Sequence, residues 1–62
     1  MKYRVLIKYL SQPEQILSLS TTLDRAFECF NEQVAQALQT HSVSYLKLTD
    51  DDGILYALWE EA

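Results

Sequence analysis

Along this chain the spacing of apolar residues changes period twice, from two to about 3.6 and back to two. No other feature limits the accessible folds as strongly. In residues 2–10, Tyr3, Val5, Ile7 and Tyr9 point one way, and Lys2, Arg4, Leu6 and Lys8 the other. Ser11-Gln12-Pro13-Glu14 reads as a turn, because proline fixes its own φ and pushes Gln12 into extended geometry. Residues 15–20 alternate again, and the pattern predicts Leu17 and Leu19 facing inward, Ser18 and Ser20 outward. Thr22 is a suitable N-cap, and Asp24 suits the positive end of the helix dipole.

From Leu23 the period becomes helical. Leu23, Ala26, Phe27, Phe30, Val34, Ala37, Leu38 and His41 fall in one stripe, which predicts a helix over 23–40. Such a helix is ~27 Å long, close to the ~26 Å of an eight-residue strand it would cover. Strand pattern returns at 43–49 and 54–60, on either side of Asp50-Asp51-Asp52-Gly53, a strong hairpin signal. The expected fold is a two-layer α+β domain of order β-β-α-β-β. Two hairpins form a four-stranded antiparallel sheet, and one helix covers one face.

At 62 residues this is one domain. The 48% apolar fraction excludes a disordered chain, and a single cysteine excludes a disulfide scaffold. No apolar run approaches the ~18 residues of a membrane span. Met1 to Leu10, broken by Lys8, does not read as a secretory signal, so a cytoplasmic protein is expected.

The second sheet face is the most informative expectation, because a lone monomer would keep it polar. With a bulge at Gly53, Leu46, Leu48, Ile54, Tyr56 and Leu58 face the helix, and Tyr45, Lys47, Leu55, Ala57 and Trp59 face outward. Without the bulge the last strand flips, and Ile54, Tyr56 and Leu58 join Tyr45 outside. In either register the outer face carries Leu6, Tyr45 and further apolar side chains. That predicts a surface buried against a second copy or another protein. The residues expected at this interface are Arg4, Leu6, Lys8, Tyr45, Leu55, Ala57 and Trp59. Asp50, Asp51, Asp52, Glu60 and Glu61 form a secondary acidic contact. Residues 1–31 carry a net charge of +1 and residues 32–62 a net −5, so the acidity is concentrated in the second half.

Candidate chemistry is sparse. Cys29 and His41 lie on one helix, ~18 Å apart by rise, too far for a nucleophile–base pair. Cys29 therefore reads as a structural thiol and His41 as a C-terminal cap. Aligning Gly53 with the glycine of a calcium loop puts Leu48 and Trp59 at the terminal ligand positions, where neither binds a cation. The single glycine rules out a Gly-rich phosphate loop. No enzyme activity, metal or cofactor is expected.

Three function classes remain. The first is a non-enzymatic interaction module, a regulator or inhibitor of a host or cellular complex. It is expected to act as a homodimer, and small acidic proteins encoded by phages and mobile elements are the analogy of size and charge. The second is a nucleic-acid-binding module using Lys2, Arg4, Lys8 and Lys47 interleaved with Tyr45, which a pI near 4.6 disfavours. The third is a purely structural oligomerising subunit. No membrane partner is expected.

Overall fold

A computed structural model describes residues 1–61. Its elements are β1 (Tyr3–Tyr9), β2 (Gln15–Ser20), α1 (Leu23–Thr40), β3 (Val43–Asp50) and β4 (Leu55–Glu60). The strands form one antiparallel sheet in the order β2-β1-β3-β4, with α1 packed on one face. This is the β-β-α-β-β fold expected from the two changes of period.

The helix is capped at both ends by local chemistry. Thr22 is extended, and its Oγ1 accepts from the Arg25 N–H at 3.4 Å, satisfying one of the free amides of the first turn. At the other end His41 takes left-handed geometry, φ 55°, and its N–H donates to the Ala37 carbonyl at 3.0 Å. Its ring Nδ1 lies 3.3 Å from a Glu61 carboxylate oxygen.

The core is the layer between helix and sheet. Val5 and Ile7 of β1 meet Leu46 and Leu48 of β3, and above them lie Ala26, Phe30 and Ala37 of α1. Ala26 and Ala37 are almost fully buried, and their small side chains let the helix approach the sheet closely. Leu38, expected in the buried stripe, is 56% exposed. It sits at the margin of a contact face that Ala26, Phe30 and Ala37 already fill.

Each ladder contains one register shift. Between Val5 and Leu6 of β1 the partner advances from Ser18 to Ile16, leaving Leu17 extra. Between Lys8 and Tyr9 it moves from Tyr45 to Val43, leaving Ser44 extra. Between Leu48 and Thr49 it moves from Ala57 to Leu55, leaving Tyr56 extra. These one-residue bulges bend the strands and decide which side chains face the helix.

The bulges correct two expectations. In β2, Ser18 lies opposite Val5 and Ser20 opposite Tyr3, so the serines share the helix-covered face. Leu19 lies opposite Arg4 on the outer face and is 57% exposed. The pairing with β1 sets this phase, and a hydroxymethyl side chain leaves room for α1 to pass.

In the second hairpin, Gly53 at φ 81° donates to the Asp50 carbonyl, and the Asp50 N–H donates to the Ile54 carbonyl. This is the glycine bulge of the first expected register. The second bulge, at Tyr56, then reverses the phase. Ala57 and Trp59 lie opposite Leu48 and Leu46 and pack against the core, while Leu58 lies outside opposite Lys47. Ala57 and Trp59 therefore do not belong to the outer face where the sequence reading put them.

Gly53 has open space where a Cβ would stand, so substitution there strains only the backbone. Gly53→Ala is expected to cost about 1 kcal/mol in urea denaturation. A loss near zero would mean that the turn relaxes to another geometry.

Candidate functional site

Three rows of side chains make up the outer face. The register gives Leu19, Arg4, Thr49 and Leu55 in the first row and Ile16, Leu6, Lys47 and Leu58 in the second. The third holds Lys8, Tyr45 and Glu60. Apolar side chains stand at both margins: Ile16 is 56% exposed, Leu55 50% and Leu58 48%. Leu6, half-buried, lies between them. Of the expected interface residues, Arg4, Leu6, Lys8, Tyr45 and Leu55 are brought together on this face. Ile16, Leu19 and Leu58 join them: Leu19, expected to face inward, is turned out by its pairing with Arg4, while Leu58 lies outside as in the second expected register.

Arg4, Lys8, Tyr45 and Lys47 of this face already have partners within the chain. Glu14, from the β1–β2 turn, reaches across the sheet to β3. Its carboxylate accepts from the Tyr45 hydroxyl and lies 3.3 Å from Lys47 Nζ. The Tyr45 hydroxyl, followed by Lys47, lowers the Glu14 pKa against the opposing effect of burial. The same hydrogen bond, reinforced by burial, raises the Tyr45 pKa. Lys47 Nζ also lies 5.0 Å from the centre of the Tyr45 ring. Arg4 Nη2 is 3.8 Å from Asp51 Oδ1, and Lys8 Nζ donates to the Tyr9 carbonyl. The Tyr45–Glu14–Lys47 cluster ties the first hairpin's turn to the centre of the sheet.

The acidic turn divides into unlike parts. Asp50 is 1% exposed, which removes it from the accessible acidic surface expected of it. Its Oδ1 accepts from the Asp52 and Ile54 N–H groups at 2.8 and 3.0 Å, and its Oδ2 from the Tyr56 hydroxyl at 3.0 Å. Burial pushes this carboxyl up, but the hydrogen bonds from Ile54, Tyr56, Asp52 and Gly53 outweigh it and hold the pKa below the usual carboxylate range. Tyr56 is correspondingly raised, chiefly by its bond to Asp50, and its ring meets Tyr3 edge-on at 5.6 Å. Asp51 accepts from the Lys2 backbone N–H at 3.0 Å and faces Arg4. Asp52, Glu60 and Glu61 remain exposed.

A groove of about 440 Å³ runs between β2 and α1, lined by Ser18, Ser20, Arg25, Glu28, Cys29 and Glu32. Cys29 is half-buried and accepts from Ser18 Oγ at 3.3 Å. Among the described residues no group of three or more His, Cys, Asp or Glu side chains is placed to hold a metal ion. Nor is any helix among them long and apolar enough to cross a membrane. Compared with protein-family models, curated proteins and solved structures, the chain finds no significant match.

Proposed function

We propose that this chain is a small non-enzymatic protein-interaction module in the cytoplasm, working as a homodimer and regulating or inhibiting a larger complex. The observation that carries this reading is the uncovered sheet face. Leu19, Leu55 and Leu58 stand there at 48–57% exposure, with Leu6 between, where one helix has left no second layer. Exposed apolar side chains grouped on one face, framed by charges, are the signature of a binding surface. Asp52 and Glu60 extend its acidic margin. A protein partner is favoured over a nucleic acid because Arg4 and Lys47 already face Asp51 and Glu14.

The test is affinity capture with the native chain and with Leu58→Asp. Leu58 is half-exposed on the outer face of an edge strand, so the substitution leaves the fold intact. A protein retained stoichiometrically by the native chain and reduced at least tenfold by the variant is the expected result. Equal retention by both would remove the outer face from the reading.

A further inference from the structure

The geometry points to a second copy of this chain as the occupant of the β2 edge, joined by a two-fold axis near Ser18. This inference rests on the homodimer reading and names its interface. Two edges of the sheet are open, β2 and β4. Between Gln15 and Ser20 there is no charged side chain, whereas β4 ends at Glu60 and is followed by Glu61. In a chain of net charge −4, a two-fold axis at β4 would carry Glu60 and Glu61 of each copy toward the Asp51–Asp52 turn of the other. An axis at β2 joins the halves that carry net +1 and leaves the acidic halves at the far ends. Ile16 and Leu19, both more than half exposed, lie on this edge and would each gain an apolar neighbour.

The helix layer supplies the complementarity. Because α1 follows β2 directly and runs back over the sheet, it is antiparallel to β2, and the Ser18–Cys29 contact places the two elements in register. Arg25 lies ~6 Å from the level of Cys29 toward one end, and Glu32 lies ~4.5 Å toward the other. An antiparallel β2–β2 pairing centred near Ser18 therefore sets Arg25 of each copy against Glu32 of the other.

Lateral spacing agrees. The helix packs over β2, β1 and β3, of which β1 is the middle strand. The two β1 strands would stand three strand spacings apart, ~14 Å. That is wider than the 8–10 Å of direct helix packing, and an arginine and a glutamate reaching from opposite sides bridge it. No ion pair among the described residues engages Arg25 or Glu32 within the chain. The groove between β2 and α1 becomes half of a trough between two helices. Below, two four-stranded sheets merge into one of eight, whose outer faces form a continuous floor.

Sedimentation velocity on the native chain, Arg25→Glu, Glu32→Arg and the double charge swap tests this. The native chain is expected to sediment as a dimer. Each single swap is expected to weaken dimerisation roughly tenfold, and the double swap to restore it. Both positions are exposed and helical, so the variants fold alike by circular dichroism. Neutral single swaps, or a double swap as weak as the worse single, would overturn the β2 interface. If the native dimer survives every swap but dissociates with Leu58→Asp, the homodimer reading stands and the interface moves to the outer face. A native monomer at high micromolar concentration would remove both.

Discussion

Asp50→Ala is expected to lower the melting temperature by on the order of 15 °C, with most of the second hairpin's order lost. The carboxylate gathers two backbone amides of its own turn and the Tyr56 hydroxyl in a nearly waterless position. Alanine removes the acceptor of three part-buried donors at once, and losing an acceptor costs more than the bond contributed wherever water cannot replace it. A domain of this size responds steeply, since each kcal/mol shifts the midpoint by ~4–8 °C. Asp50→Asn keeps an acceptor oxygen and should lose about half as much. Thermal unfolding by circular dichroism checks both, and a shift of only a few degrees for the alanine variant would show that the turn closes without this carboxylate.

The same group gives the stability an acid limit. Its folded pKa lies below the unfolded value of ~3.9, so the unfolded chain binds the proton first as pH falls. The stabilisation is full above about pH 5 and is lost as pH drops through ~4 to the depressed folded value. Glu14 shifts in the same direction, but its side chain is 37% exposed and water screens its contribution. Asp50→Asn should therefore flatten the acid limb more than Glu14→Gln does.

Leu46→Ala is expected to cost about 3 kcal/mol, as is usual for a leucine removed from a packed interior. Leu46 is 0% exposed and stands between Ile7 and Trp59 on its two neighbouring strands. Trp59 is the only tryptophan, so urea unfolding followed by its fluorescence reports the loss at the site itself. Leu38→Ala is the comparison. At 56% exposure it should change stability by less than about 0.5 kcal/mol. Equal losses would mean that the helix stripe extends to Leu38 after all.

Element order and the helix caps were readable because each rests on residues close in sequence. Thr22 needs only the amide of Arg25, His41 only the carbonyl of Ala37, and Gly53 only the ends of its own turn. The facing of β2 and β4 was not readable, for a different reason. In Gln15–Ser20 the alternation fits either phase, and the pairing of Ser18 with Val5 decides it. In Leu55–Trp59 every residue is apolar, so no alternation marks the bulge at Tyr56. The Tyr45–Glu14–Lys47 cluster was hidden likewise, because Glu14 and Tyr45 are 31 residues apart and meet only once β3 lies beside β1.

That central adjacency has a kinetic meaning. The β1–β3 ladder joins Tyr3 to Asp50 at one end and Tyr9 to Val43 at the other. Both outer ladders, by contrast, join strands linked by short turns. Hairpins and helix can form from local contacts within microseconds. Closing the middle ladder fixes a loop of more than thirty residues, and its entropy must be spent before Val5 and Ile7 can meet Leu46 and Leu48. The folding rate of this small chain is therefore expected to follow the closing of this non-local ladder, a matter of topology more than of size.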